Sequence, residues 1–133
     1  MKKLVMLLIT VFIFVQTVLS QVNQKTQDAT FCGKIGEDGP SGGNYTIQEL
    51  QNCDWQIIPV DTGFTVTEFR MSLVPNDNTY KYSEIPIKGN FIPEQYRNQI
   101  LSHSRMVLLE FIKAANYKGE SILVKAIAVR ITT

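Results

Sequence analysis

The chain has 133 residues, 44% of them hydrophobic, and its 13 basic and 12 acidic side chains give a formal net charge of +1. This length suits a single domain. A chain so close to neutral lacks the basic surplus of nucleic-acid-binding domains and of domains that bind anionic membranes, so the composition argues against both partners.

The first 20 residues have the three-part layout of a secretory signal peptide. Lys2 and Lys3 precede an apolar stretch, Leu4–Val15, and the segment ends at Ser20. The apolar stretch is shorter than the roughly 20 residues that a membrane-spanning helix needs. We therefore predict cleavage after Ser20 and no integral membrane span in the mature chain. The predicted location is the periplasm, the outer membrane or the extracellular space, and an uncleaved membrane anchor is the alternative.

Residues 21–30 are polar and show no periodicity, which predicts a flexible N-terminal segment. The next segment, Cys32–Tyr45, contains five glycines and Pro40, and this composition predicts a loop. The loop lacks the Gly-Lys-Ser/Thr ending of a phosphate-binding loop. Thr46 and Glu49 have the spacing of a capping box, which predicts a single helical turn after the loop.

Two cysteines, Cys32 and Cys53, follow the predicted leader, and the chain has no others. In an oxidising compartment such a pair is a candidate disulfide. Two separately buried thiols are the alternative, because the sequence does not give the distance between the two Cα atoms. With one distant histidine, His103, the cysteines lack the closely spaced ligand pairs of zinc sites. We predict no metal and no cofactor.

Alternating apolar residues predict that most of the remaining chain is β-strand. The predicted strands are Asp54–Val60, Phe64–Val74, Tyr80–Ile87, Arg105–Ala114 and Ser121–Ile131. In the second of these the apolar residues change face near Glu68, which predicts a bulge. Pro86 argues that the third is an edge strand. These strands predict a mainly β domain, a β-sandwich with one or two short helices, over residues 31–133.

The segment before the fourth strand predicts a helix that begins at Pro93. Ile92, Tyr96 and Ile100 recur every four residues and form one apolar stripe, so this helix is expected to lie on the sheet.

In the strand that follows, Val107, Leu109 and Phe111 are expected on one face, and Leu108 and Ile112 on the other. Apolar residues on both faces predict a central, well-covered strand.

No set of residues in the sequence predicts catalysis. His103 stands between two serines without a neighbouring nucleophile or carboxylate, so we interpret it as a solvated loop residue. Glu94, Glu110 and Glu120 are scattered and suggest no acid–base pair. We predict a protein that is not an enzyme. The alternative is a small secreted ligand-binding protein or hydrolase whose carboxylates assemble across loops.

Aromatic side chains concentrate in protein interfaces. The candidates for contacting a partner are Tyr80, Tyr82, Tyr96, Arg97 and Tyr117. Arg97 could bind an acidic partner, and a solvated arginine is the alternative. The strand edge at Tyr80–Ile87 is a candidate for docking a partner strand. Pairing of the same edges in a homodimer is the other possibility, so the partner could be a second copy of the chain.

Several segments resemble the C-terminal domain of the GldM/PorM family, the periplasmic motor subunits of gliding motility and type IX secretion in Bacteroidetes. They are FCGKIGEDGPSGGNYTIQEL, FTVTEFRMSL, GNFIPEQYRNQI, VLLEFIKA and ILVKAIAVRI, in the family's order. The most specific pieces are Phe91–Gln95 and Phe111–Ala114. The resemblance implies an immunoglobulin-like β-sandwich that packs against subunits of the secretion machinery and is not an enzyme.

The chain also departs from the family pattern. It carries neither the motor's transmembrane helix nor its other periplasmic regions, so we expect a stand-alone secreted domain that does not drive the motor. Cys53, the glycine-rich insertion around Gly39, and Ser104-Arg105 in place of Gly-Asp lie outside the pattern. A shared binding partner therefore does not follow from the resemblance.

Overall fold

The computed structural model describes residues 26–39, 42–78 and 81–133. The predicted signal peptide, residues 1–20, and the first half of the predicted flexible segment lie outside the described residues.

Within the described residues the chain is mainly β, with ten strands and two helices. The strands are Thr26–Gln27 (β1), Ala29–Phe31 (β2), Lys34–Ile35 (β3), Gly43–Thr46 (β4), Ile57–Pro59 (β5), Thr65–Pro75 (β6), Ser83–Lys88 (β7), Ser104–Ala115 (β8), Ser121–Val124 (β9) and Ile127–Thr132 (β10). The helices are Ile47–Gln51 (α1) and Glu94–His103 (α2). Neither described helix has the length and hydropathy to cross a bilayer.

Strand β8 is the centre of a seven-stranded sheet. One side of β8 pairs antiparallel with β6 along most of its length, and β7 pairs with the far side of β6. The other side of β8 pairs with β10 and then with β9. Strands β4 and β1 extend this side in parallel register. The prediction of a central strand at β8 is confirmed, and β7 has β6 as its one neighbour in the described part of the chain.

A smaller antiparallel sheet, in the order β3-β2-β5, contributes Ala29, Phe31 and Ile57 to the same core. Phe31 of this sheet contacts Tyr45 and Trp55 edge to face, with ring centroids 5.9 and 6.2 Å away. The predicted disulfide between Cys32 and Cys53 is confirmed, with the Cα atoms 5.0 Å apart. It ties the end of β2 to the segment that follows α1.

Both helices form where local sequence signals place them. The Thr46 hydroxyl accepts a hydrogen bond from the Glu49 backbone N–H at 3.1 Å, so the predicted cap of α1 is confirmed. Ile92 and Ile100 are buried, and Tyr96 packs against the core beside them. The predicted apolar stripe of α2 therefore faces the sheet.

His103 does not lie in a solvated loop, as its two flanking serines suggest. It is the last residue of α2 and is half-buried, and Ser104 already begins β8. The helix passes directly into the strand because the Ser104 N–H still donates to the Ile100 carbonyl while its backbone is extended. The interpretation of His103 as a solvated loop residue is wrong.

Residues 26–30 of the predicted flexible segment are ordered instead, and they form β1 and most of β2. Ala29 is buried and pairs with Pro59 of β5. Thr26 and Gln27 pair in parallel with β9. These contacts use the backbone and one small side chain, so a polar sequence without periodicity gives no sign of them.

The apolar residues of β6 change face at a bulge, as predicted. In the pairing with β8, an extra β6 residue lies between Val66 and Glu68. Beyond it Phe69, Met71 and Leu73 face the core.

A second bulge, in β8, was not predicted. An extra residue follows Glu110, and Phe111 there has a left-handed φ of 51°. Because a bulge turns the residues beyond it to the other face, Ile112 continues the buried row of Val107 and Leu109. Phe111 instead points away from the core and is 61% exposed. The prediction that Phe111 shares a face with Val107 and Leu109 is wrong.

Candidate interaction site

The side chains predicted to contact a partner do not form one surface. Tyr80 lies outside the described residues. Tyr82 immediately precedes β7, level with the start of β8, and Tyr117 lies in the turn after β8. At about 3.3 Å per strand residue, roughly 30 Å separates these two exposed rings. A single small epitope cannot include both.

Tyr96 and Arg97 make contacts within the domain instead. The Arg97 Nε donates to the Ile92 carbonyl at 2.9 Å, and its guanidinium lies 5.7 Å from the centroid of the Trp55 ring. Tyr96 packs against the core. These contacts explain both side chains without a partner.

A different surface surrounds the exposed ring of Phe111 on the outer face of the main sheet. It is a shallow depression of about 270 Å³ that crosses β7, β6 and β8. We call its lining the Phe111 surface: Glu68, Phe69, Arg70, Pro86, Ile87, Lys88, Phe111 and Lys113.

Arg70 stacks on Phe111, and one of its side-chain donors has no hydrogen-bond partner. Its guanidinium carbon is 4.3 Å from the ring centroid, within range of a cation–π contact. The Nη1 atom lies 3.9 Å from a Glu84 carboxylate oxygen, and the buried Nε has no hydrogen-bond partner. The Tyr82 hydroxyl donates to the same Glu84 at 3.2 Å. Tyr82 is thus one predicted contact residue that the fold brings to the rim of this surface.

Glu68 links the two lysines of the Phe111 surface. Its carboxylate lies 2.6 Å from the Lys88 Nζ and 3.3 Å from the Lys113 Nζ. The hydrogen bond from Lys88, followed by that from Lys113, lowers the pKa of Glu68 below its usual value. The carboxylate therefore remains charged at neutral pH. The result is an apolar patch of Phe111 and Pro86 bounded by charged groups, an arrangement suited to binding.

Neither backbone preference nor burial explains why a phenylalanine occupies position 111. A residue other than glycine in the left-handed region is destabilised by about 1–2 kcal/mol. An exposed cation–π contact returns about 0.5–1 kcal/mol, and a mostly exposed ring gains little from burial. Such a conformational outlier suggests a functional role.

Along Ser83–Lys88 the described residues place no strand on the side of β7 away from β6, and we call this side the free edge of β7. Just beyond it Gln56 forms a bridge with Phe91. The free edge borders the Phe111 surface. The Gly89 N–H donates to the Thr67 carbonyl at 2.7 Å, which sets the alternation of backbone groups along β7. In this alternation the backbone groups of Glu84, Pro86 and Lys88 face away from β6. Proline has no N–H, so the free edge offers two donors, at Glu84 and Lys88.

The residues considered for catalysis lie on separate elements. Glu94 begins α2, Glu110 is in β8, and Glu120 is in the turn before β9. Four depressions on the described residues are lined by other side chains and not by His103. Over the same residues, no group of three or more His, Cys, Asp and Glu side chains could hold a metal ion.

Sequence patterns missed the Phe111 surface because its residues come from three strands. One signal was available. The adjacent apolar pairs Leu108-Leu109 and Phe111-Ile112 interrupt a strict alternation, as the residues near Glu68 do in β6. Read in the same way, they would have suggested a bulge in β8.

No model of a known protein family matches the chain, and no curated protein matches it either. The resemblance to the GldM/PorM family therefore remains a prediction from the sequence.

Proposed function

We propose that this protein is an exported interaction module without enzymatic activity, and that it binds a partner protein at the Phe111 surface. The observation that carries the proposal is the exposed Phe111 ring, held at a left-handed φ and stacked under Arg70. Aromatic and arginine side chains dominate the binding energy of many protein interfaces. A partner that covers this pair would remove the ring from water and supply an acceptor for the Arg70 guanidinium.

Export is supported by two independent features. The sequence begins with the layout of a signal peptide. The Cys32–Cys53 disulfide is of a kind that persists in oxidising compartments. The proposed location is the periplasm, the outer membrane or the extracellular space.

The proposal includes a role related to the GldM/PorM C-terminal domain, as an accessory to gliding motility or type IX secretion. It assigns an immunoglobulin-like sandwich to residues 31–133. Two sheets that contribute to one core support this assignment, for example Phe31 and Ile57 from one and Leu109 and Val129 from the other.

Site-specific photo-crosslinking tests the proposal. A photoreactive phenylalanine derivative would replace Phe111, or Tyr117 as the control, in cells that naturally produce the protein. Tyr117 is 92% exposed and lies in the turn after β8, about 13 Å or more from Phe111, since four strand residues separate Phe111 from the end of β8. We expect a discrete protein adduct from position 111 and none from position 117. Adducts at neither position, or equal adducts at both, would contradict the proposal.

A further inference from the structure

We infer that the free edge of β7 accepts an extended segment of a foreign protein as an added antiparallel strand, and that Pro86 hinders the same edge from pairing with a second copy of this chain. The inference rests on the proposed function and specifies its binding mode and the kind of partner.

The backbone groups on the edge define what a partner strand must supply. Three carbonyls, of Glu84, Pro86 and Lys88, and two N–H groups, of Glu84 and Lys88, face away from β6. A foreign antiparallel strand can exchange two hydrogen bonds with each of the outer residues and donate one to the Pro86 carbonyl. It loses one hydrogen bond relative to an edge without proline.

Pairing between two copies is less favourable. In any two-fold arrangement that includes Pro86, the proline occurs twice, so two hydrogen bonds are lost. Charge would not prevent this pairing, because a register centred on Pro86 places Lys88 of one copy opposite Glu84 of the other. The proline is therefore the feature that discriminates against self-association, a known use of proline on edge strands.

Side chains on the outer face of β7 select the sequence of the foreign strand. Glu84, Pro86 and Lys88 point to this face, since they pair with Ser72, Arg70 and Glu68 of β6. Opposite them an antiparallel strand would carry, from its N-terminus, an acidic residue at Lys88, an apolar residue at Pro86 and a basic residue at Glu84. The apolar side chain would lie beside Pro86, at the β7 border of the depression that contains Phe111. The preferred pattern is acidic-x-apolar-x-basic.

A designed peptide, acetyl-TETFTKT-amide, tests this pattern by NMR titration of the mature domain. We expect saturable shifts at the amides of Glu84 and Lys88. The charge-reversed peptide acetyl-TKTFTET-amide should bind roughly threefold or more weakly, since two ion pairs become repulsive. The absence of binding by the first peptide, or equal binding of both, would overturn the inference.

Backbone variants separate strand addition from side-chain binding. Glu84→Pro and Lys88→Pro each remove an outward N–H that β6 does not use, and each should weaken the first peptide at least several-fold. Glu84→Gln and Lys88→Gln retain the N–H and should weaken it less. Amide spectra verify that each variant is folded. If the proline variants bind the first peptide as tightly as the wild type does, strand addition is contradicted. If crosslinking at Phe111 is nevertheless observed, the proposed docking site still holds.

Pro86→Thr provides a test that needs no ligand. It restores the missing donor, so we expect the variant to self-associate in sedimentation experiments at concentrations where the wild type does not gain mass. Adding Glu84→Pro should reverse the effect. A Pro86→Thr protein with the mass of the wild type would contradict the role assigned to the proline.

Discussion

Replacing Phe111 with glycine should leave the fold nearly as stable as before. Glycine relieves the left-handed backbone, which stabilises the fold by about 1–2 kcal/mol. Loss of the Arg70 stacking costs about 0.5–1 kcal/mol. The greater freedom of glycine in the unfolded chain costs a similar 0.5–1 kcal/mol or so. These effects nearly cancel, so the free energy of unfolding should change by less than about 1 kcal/mol.

The assay is urea denaturation followed by the fluorescence of Trp55, the one tryptophan of the chain and a buried one. Phe111→Ala keeps the strained backbone and loses the stacking, so it should be less stable than Phe111→Gly by about 1 kcal/mol. Leu109, also in β8, is fully buried, so Leu109→Ala should lower the free energy of unfolding by about 2–5 kcal/mol. This variant is the reference for a side chain with a structural role.

The same glycine variant should lose the partner. Affinity capture with the wild type identifies the protein that crosslinks at position 111, and Phe111→Gly should recover little of it. Tyr117→Gly removes an equally aromatic and more exposed ring at a distance and should leave capture intact. The relief of strain and the loss of stacking predict a change in the free energy of unfolding of less than about 1 kcal/mol. If Phe111→Gly instead loses more than about 2 kcal/mol, the ring has a structural role and the reasoning is refuted. If Phe111→Gly captures as much of the partner protein as the wild type does, the Phe111 surface is not the binding site.

Three further outcomes follow from the structure. Reducing the Cys32–Cys53 disulfide, whose cysteines are 21 positions apart, should lower the free energy of unfolding by about 3 kcal/mol, seen as a lower urea midpoint. Because the folded-state pKa of Glu68 lies below its unfolded value, its charge stabilises the fold above about pH 4, and this contribution is lost as the pH falls through the folded-state pKa. In Glu68→Gln the free energy of unfolding should therefore fall less steeply as the pH is lowered. An unchanged pH dependence would show that the Glu68 ion pairs do not contribute to the acid sensitivity of the fold. Thr46→Ala should cost about 1 kcal/mol in thermal or urea unfolding by removing the cap of α1, whereas Thr46→Ser should cost less.

The main features of the fold follow from signals that act over a few residues. The period of two along β6, and its change of phase near Glu68, indicated a strand with a bulge. Pro86 indicated an edge, because a proline cannot donate to a second neighbour. Thr46 and Glu49 indicated the start of α1 through their spacing alone. Each conclusion depends on the residue itself or on its close neighbours.

The candidate site depends instead on which residues the strands bring together. Leu109, Phe111 and Ile112 are all apolar, so their order cannot show which of them faces the core. The bulge that exposes Phe111 exists in the register between β6 and β8, whose paired residues lie tens of positions apart in the chain. Arg70 reaches the ring only through that pairing. By itself the sequence therefore determined a β-rich chain with an edge strand, two capped or proline-started helices and a candidate disulfide. Only the tertiary structure decided which aromatic ring is exposed. The reason is that the register between distant strands sets which face of the sheet a side chain takes beyond a bulge.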